Sequence, residues 1–130
     1  MKILYLDTSK EDAEIGLYED QRVLTFVSYY AHRELSTTIL KKIEEILKNN
    51  KTDFNSLGGI LCYKGPGSFT GLRIGISLAN ALSYGLGIPI EGIMEDEPIN
   101  EGIDNLIKRQ STKQLTPFYG ADPHITLPKK

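Results

Sequence analysis

The feature that most constrains the fold of this chain is a glycine-rich segment between an apolar run and a helical pattern. Residues 64–75 read Lys-Gly-Pro-Gly-Ser-Phe-Thr-Gly-Leu-Arg-Ile-Gly, so four glycines and one proline fall within twelve residues. Glycine permits positive φ and close backbone approach, whereas proline fixes φ, so the sequence specifies this turn. A strand, a tight turn and a helix N-terminus in this order can bind an anion. Gly65, Gly67 and Ser68 are therefore candidate anion contacts.

The residues before this segment predict a three-stranded meander and a crossover helix. Three runs with strand-like patterns, separated by polar turns, occupy residues 2–7, 12–18 and 22–30. Over residues 33–49 the apolar residues recur at helical spacing. A strand over residues 58–63 follows this helix, so it should lie parallel to the first strand.

A second helix over residues 72–86 and a strand over residues 88–93 complete the pattern. Pro89 favours an edge position for this last strand, since proline cannot donate to a ladder. The order βββαβαβ, with the first strand central in a mixed five-stranded sheet, is the α/β architecture of ribonuclease H-like domains. Actin, the heat-shock chaperone ATPases and the sugar kinases contain this domain.

The remainder of the chain predicts one short helix and an extended tail. Ile99, Ile103 and Leu106 have amphipathic helical spacing, whereas residues 115–130 contain three prolines and no helical period. We therefore predict a ribonuclease H-like domain over residues 1–95, followed by a short helix plus tail over residues 96–130.

Composition excludes several classes of function. The net charge is −2, so there is no global basic field for nucleic acid, and an RNA contact would need a local patch or a partner. Cys62 is the only cysteine and lies in an apolar run, which favours a buried strand residue over a nucleophile. The first residues do not read as a signal peptide and no apolar run reaches a membrane span, so we expect a soluble, cytoplasmic protein without membrane contact.

The residues that could carry chemistry are sparse. The predicted hairpin after the first strand reads Asp7-Thr8-Ser9-Lys10-Glu11-Asp12, and its carboxylates would repel a phosphate. Asp7 could hold a metal ion or accept backbone N–H bonds in its own turn. His32 and His124 have no third ligand at metal-site spacing, and Ser68 lacks a nucleophile-elbow pattern. The sequence predicts no catalytic residue, no metal site and no cofactor bound by this chain alone.

Gly71 and Gly75 lie four residues apart and leave a bare stripe on the second helix. Such a stripe lets another helix approach closely, either inside this subunit or across an interface. Packing and interface use therefore outweigh anion binding for this segment, although Arg73 could serve an anion as a charge partner. Phe69 is expected to act as an apolar plug rather than to stack on a substrate.

The segment 65–75, Gly-Pro-Gly-Ser-Phe-Thr-Gly-Leu-Arg-Ile-Gly, resembles the signature of the TsaB family, also called YeaZ. Residues 6–9 (Leu-Asp-Thr-Ser), 32–35 (His-Arg-Glu-Leu) and 87–90 (Gly-Ile-Pro-Ile) resemble the same family, over about residues 1–95. The resemblance implies a non-catalytic partner in the bacterial machinery that makes N6-threonylcarbamoyladenosine (t6A) in tRNA. It implies pairing with a TsaD-like transferase through the two helices, and docking of a TsaE-like ATPase on the pair. ATP, Mg and the TsaD metal would then belong to the complex, and tRNA contact would be indirect.

The partner-binding residues that this resemblance implies lie at the starts of the two helices. They are His32, Leu35, Ser36, Ile39, Phe69, Thr70, Gly71, Leu72, Arg73, Gly75 and Ile76.

This chain departs from the family after the last strand, where relatives carry a second lobe. Residues 116–123 (Thr-Pro-Phe-Tyr-Gly-Ala-Asp-Pro) resemble the family's closing segment, which indicates an internal deletion of most of that lobe. Two other functions stay open: a minimal nucleotide- or phosphate-binding enzyme using Asp7, Gly67 and Arg73, and a self-associating homodimer whose helix stripe contacts another copy.

Overall fold

A computed structural model describes residues 1–119, apart from the side chain of His32. Five strands and three helices follow in the predicted order. The strands are β1 (Lys2–Asp7), β2 (Asp12–Glu19), β3 (Arg22–Tyr30), β4 (Leu57–Tyr63) and β5 (Ile90–Ile93). The helices are α1 (Leu35–Asn49), α2 (Phe69–Leu86) and α3 (Ile99–Arg109), and short 3₁₀ turns precede α1 (His32–Glu34) and β4 (Phe54–Ser56).

The five strands form one mixed sheet in the order β3-β2-β1-β4-β5. β1 is central, pairing antiparallel with β2 and parallel with β4, so that Leu6 lies opposite both Ile15 and Cys62. β2 and β3 pair antiparallel, and β4 and β5 pair parallel. The predicted ribonuclease H-like fold is confirmed. The edge position of β5 is confirmed too, with Pro89 just before it offering its carbonyl to the Ile60 N–H at 3.0 Å.

The two faces of the sheet are covered unequally. Successive strand residues point to opposite faces, so Leu4 and Leu6 share one face while Ile3 and Tyr5 share the other. α1 and α2 cover the first face and form the larger core. On the second face α3 covers the half of the sheet around β1, β4 and β5. The smaller core there consists of Ile3, Tyr5, Leu61, Ile93, Ile103 and Leu106.

Local interactions set several boundaries that differ from the predicted ones. α2 begins at Phe69 rather than at residue 72, because the Ser68 hydroxyl accepts a bond from the Gly71 N–H at 3.3 Å and caps the helix. At its other end Gly87 adopts a left-handed conformation, and the Ile88 N–H bonds back to Ser83. β5 consequently begins at Ile90 and not at residue 88.

Cys62 is 1% exposed in the larger core, as predicted for a buried strand residue. Burial, followed by the nearby Asp7 carboxylate, raises the pKa of its thiol. The neutral thiol is therefore the stable form, and a buried neutral thiol is a poor nucleophile.

Residues 110–119 contain no helix or strand, and they are attached to the domain. The Ile90 N–H donates to the Ser111 carbonyl at 2.7 Å, and Leu115 exchanges two hydrogen bonds with the Asn80 side chain. The rest of the predicted tail, including His124, lies outside the described residues. The domain division at residue 95 stays a prediction. None of the helices formed by residues 1–119 is long and apolar enough to cross a bilayer.

Candidate functional site

The glycine turn (residues 64–68) connects the end of β4 to the start of α2. Its Gly65–Pro66 peptide bond is cis, and Gly65 has a φ of 132°, which favours glycine. The Tyr63 hydroxyl donates to the Pro66 carbonyl at 2.7 Å. A Cβ on Gly65 would overlap the carbonyl of Phe118, so the turn and the C-terminal segment lie in close contact. The sequence therefore specifies this conformation through glycine, proline and a hydroxyl from the preceding strand.

Most candidate anion contacts are engaged with other parts of the chain. The Asp7 carboxylate accepts bonds from the Ser9 N–H at 2.9 Å and the Ser9 hydroxyl at 2.6 Å, so it stabilises its own turn. The Ser68 N–H donates to the Ser9 carbonyl at 2.9 Å. A Cβ on Gly67 would overlap the Ser9 side chain. These groups pack the glycine turn onto the β1–β2 turn, and anion binding here stays a prediction.

Negative charge surrounds the same end of the sheet. Burial raises the pKa of the Tyr63 hydroxyl, and the carboxylates of Asp7, Glu95 and Asp96 raise it further. Burial likewise raises the pKa of Tyr5, with Asp7 as the next contributor. Carboxylates that disfavour a phenolate also disfavour a phosphate. Among residues 1–119, no group of three or more His, Cys, Asp or Glu side chains is placed to hold a metal ion.

The bare stripe of α2 faces this chain's own β1–β2 turn. A Cβ on Gly71 would overlap the Thr8 carbonyl, and one on Gly75 would overlap the Thr8 hydroxyl. The Thr8 hydroxyl also donates to the Gly71 carbonyl at 2.6 Å. The expectation that another helix approaches this stripe is therefore wrong. The glycines are needed because a threonine lies directly against the helix backbone.

Burial divides the predicted partner-binding residues into two groups. One group lies in the chain's own core: Leu35, Ile39, Gly71, Leu72, Gly75 and Ile76. These residues pack beneath the helix pair in the free chain, although Ile39 also lines the groove described next, so their part in binding a partner stays a prediction. The exposed group is Ser36, Phe69, Thr70 and Arg73. His32 lies in the turn before α1.

An α1–α2 groove lies between the outer faces of the two helices. It is lined by Ser36, Ile39, Leu40, Thr70, Arg73, Ile74, Ser77 and Leu78. Leu40 on α1 is 45% exposed and therefore presents apolar surface at the groove. Sequence reasoning missed Leu40, Ile74, Ser77 and Leu78. For Ile74 and Leu78 the signal is a second apolar stripe on α2, at i and i+4, beside the buried one.

Phe69 begins α2 and is 55% exposed, so the expectation that it plugs an internal gap is wrong. Its ring centroid lies 4.6 Å from that of Tyr119. The Arg73 guanidinium carbon lies 5.3 Å from the same ring, within cation–π range. The three side chains form a surface cluster beside the α1–α2 groove, since Arg73 also lines that groove.

Comparisons with known proteins agree with this architecture. A family model described as TsaD, tRNA N6-adenosine threonylcarbamoyltransferase, matches residues 26–97. The chain is 38% identical over 91 residues to the tRNA threonylcarbamoyladenosine biosynthesis protein TsaB of Buchnera aphidicola (Schizaphis graminum), covering 70% of this chain and 43% of that protein. It is 34% identical over 93 residues to TsaB of Escherichia coli K12, covering 72% and 40% respectively.

A solved structure from Pseudomonas aeruginosa, described as similar to peptidase YeaZ, superposes with a TM-score of 0.68 at 26% identity. That match covers 72% of this chain and 43% of the other. This chain thus spans about two-fifths of the length of the curated relatives it matches.

Proposed function

The chain belongs to the TsaB (YeaZ) family, whose domain the TsaD family model also matches, and from this premise we propose that it is a non-catalytic subunit of a complex that makes t6A in tRNA. Its role is to bind a TsaD-like transferase through α1 and α2. A TsaE-like ATPase docks on the pair, and ATP, Mg and the transferase's metal are bound by the complex. We place this complex in the bacterial cytoplasm, where it acts on tRNA.

The observation that carries the proposal is the α1–α2 groove, whose lining combines apolar and polar side chains. Leu40 and Ile74 supply apolar surface, while Thr70, Arg73 and Ser77 supply polar groups. This is the usual composition of a protein–protein interface, in which buried apolar and aromatic anchors are surrounded by polar contacts.

The identity of the partner is supported by the match between this chain and the TsaD family model. The matched range, residues 26–97, contains α1, the glycine turn and α2. A TsaD-like protein therefore has an equivalent helix pair of its own. Two related helix pairs can pack face to face around a pseudo-two-fold axis, with ridges of one pair lying in the grooves of the other.

The interactions at the glycine turn support a non-catalytic role. Asp7 is bound within its own turn, and the Ser68 hydroxyl caps α2 instead of facing a general base. The carboxylates near Tyr63 argue against the alternative of a minimal nucleotide-binding enzyme, because they would repel the phosphates of a nucleotide. Self-association would use the same α1–α2 groove, and a homodimer would therefore compete with the heterodimer.

The test is the affinity of the isolated chain for the cognate TsaD-like transferase, measured by calorimetry, together with reconstitution of tRNA modification. Leu40→Asp places a charge on the groove and should abolish binding and modification while leaving the fold intact. Ile107→Asp is a matched control, because Ile107 is a similar aliphatic side chain, 38% exposed, on α3 at the opposite face of the sheet.

Binding of Leu40→Asp with wild-type affinity would refute the assignment of the groove. Complete modification of tRNA without this chain would refute the subunit role. Gly75→Leu is unsuitable for this purpose, because a side chain at that position overlaps Thr8 and therefore tests the fold. Sedimentation velocity of the free chain at several concentrations measures the competing homodimer.

A further inference from the structure

The segment after α3 is attached to the domain at three separated points along its length. The Ser111 carbonyl accepts from the Ile90 N–H at 2.7 Å, next to the start of β5. The Leu115 backbone exchanges bonds of 2.9 and 3.0 Å with the Asn80 side chain in the middle of α2. The Phe118 N–H donates to the Lys64 carbonyl at 2.7 Å, in the glycine turn. We name residues 111–119 the clasp.

The clasp ends against the exposed cluster at the start of α2. The Tyr119 and Phe69 rings are 4.6 Å apart and inclined by 32°, which is a favourable aromatic geometry. Arg73 lies one helical turn further along, with its guanidinium 5.3 Å from the Phe69 ring centroid. Tyr119 thus restricts Phe69 from one side of the cluster, and Phe69 in turn provides the surface on which Arg73 rests.

The cluster has the properties of a preformed interface anchor. Aromatic and arginine side chains are enriched at protein interfaces, and they contribute more to binding when they are already held in one conformation, because less side-chain freedom is then lost on association. An aromatic side chain that is 55% exposed at a helix start has few contacts to hold it by itself. The ring contact with Tyr119 supplies that restriction before a partner arrives.

The clasp also lies outside the region that matches the family model, which covers residues 26–97. Its attachment points do not: Lys64, Phe69 and Asn80 all fall within the matched region. The clasp therefore lies outside the matched region but contacts the glycine turn and α2 within it.

We propose that the clasp sets the partner-binding surface of this chain, with Tyr119 as the positioning residue that holds Phe69 and Arg73 ready to contact a TsaD-like partner. This inference rests on the proposed function for the identity of the partner. The restriction of Phe69 and Arg73 is a property of the free chain. It can therefore be measured without any partner.

The first measurement is made on the free full-length chain by NMR. Tyr119→Ala should move the chemical shifts of the Phe69 ring protons and of the Arg73 Nε–H towards the values of unrestrained side chains. Tyr119→Phe retains the ring and should behave as the wild type. Tyr84→Ala is the matched control, because Tyr84 is 85% exposed at the far end of the same helix.

The second measurement is the affinity for the TsaD-like transferase under conditions in which far-ultraviolet circular dichroism shows each variant to be folded. Loss of the aromatic pair should weaken binding by roughly threefold to tenfold in Tyr119→Ala. Tyr119→Phe and Tyr84→Ala should retain wild-type affinity. A loss of affinity in Tyr119→Ala alone would support the positioning role, because a residue that only covers the core would affect stability instead.

The outcomes separate the two proposals. Unchanged chemical shifts of the Phe69 and Arg73 side chains in Tyr119→Ala would overturn their restriction by Tyr119. Changed shifts with unchanged affinity would overturn the positioning role. Failure of the wild-type chain to bind the transferase would overturn the proposed function and the choice of partner, while the chemical shifts would still decide whether the clasp orders the cluster.

Discussion

Gly75→Ala is the substitution that most directly tests how α2 is held against the sheet. A Cβ at this position would overlap the Thr8 hydroxyl and lie 3.0 Å from Thr8 Cγ2 and 3.1 Å from Thr8 Cβ. Thr8 is 1% exposed and its hydroxyl bonds to the Gly71 carbonyl. The threonine cannot rotate away without giving up that bond, so either the hydrogen bond or the helix position must change.

The magnitude follows from three opposing contributions. Alanine is preferred over glycine in a helix interior by about 1 kcal/mol. Adding a methyl group to a packed site costs about 1–3 kcal/mol. Loss of the hydrogen bond from Thr8 leaves a buried hydroxyl donor unpaired and costs about 1–3 kcal/mol more. We therefore expect Gly75→Ala to lower the free energy of unfolding by about 1–5 kcal/mol.

Gly85→Ala is the matched control, since Gly85 lies in the same helix and an added Cβ there meets no atom within 4 Å. Only the preference of alanine over glycine in a helix applies, so Gly85→Ala should raise the free energy of unfolding by about 0.5–1 kcal/mol. Urea unfolding followed by circular dichroism measures both. With a denaturant slope of about 1–3 kcal/mol/M for a small domain, the two midpoints should lie about 0.5 M or more apart.

A double-mutant cycle identifies the atom responsible. Thr8→Ala removes the overlapping hydroxyl, so adding Gly75→Ala to that background should cost at least about 1 kcal/mol less than in the wild type. If Gly75→Ala were as stabilising as Gly85→Ala, the packing of Thr8 against α2 would be refuted. Loss of partner binding at unchanged stability would instead restore an interface role for Gly75.

Three further substitutions have defined outcomes. Burial, followed by the Asp7 carboxylate, raises the pKa of Tyr5 above its ordinary 10.0, so the stability it contributes is complete below about pH 10 and declines above it. Tyr5→Phe should therefore reduce the loss of unfolding free energy above about pH 10, as measured by urea unfolding at a series of pH values. An equally steep loss in this variant would show that ionisation of Tyr5 is not its cause. Asn80→Ala leaves both backbone groups of Leu115 without their partner and should cost about 2 kcal/mol in urea unfolding, whereas undiminished stability would show that the clasp is not held there. Ser68→Ala removes the cap of α2 and should lower the free energy of unfolding by about 1 kcal/mol, whereas Ser68→Asp should retain most of the wild-type stability. Equal thermal midpoints for Ser68→Ala and the wild type would argue against the cap.

The fold could be predicted from the sequence because its elements have regular periods and clear terminators. Alternating and helical apolar patterns give the element order, and Pro89 gives the edge of the sheet. The boundaries depend on single hydrogen bonds, such as the cap made by Ser68, and a period does not reveal these. α2 accordingly begins earlier than its apolar pattern indicates.

The site was less predictable, because α2 is apolar on more than one face. Leu72 and Ile76 lie in the core, whereas Ile74 and Leu78 line the α1–α2 groove, and spacing alone does not rank the two stripes. The glycine stripe shows that something approaches closely but does not identify it.

The contact between Phe69 and Tyr119 joins residues fifty positions apart in the chain. Local sequence patterns carry no signal for such a pair. The resemblance to a family identifies the glycine-rich segment, but only the three-dimensional structure shows which side chains of that segment face outward.

The connection between α3 and the clasp has a consequence for how proteins with this core can grow. α3 ends at Gln110, which adopts a left-handed conformation, and Ser111 is bonded to β5 while Leu115 is bonded to α2. The three residues 112–114 between these anchors are exposed. Exposed connections with both ends fixed are where whole domains are most readily inserted. A gene could acquire or lose a module at this point while the sheet, the helices and the glycine turn kept their places.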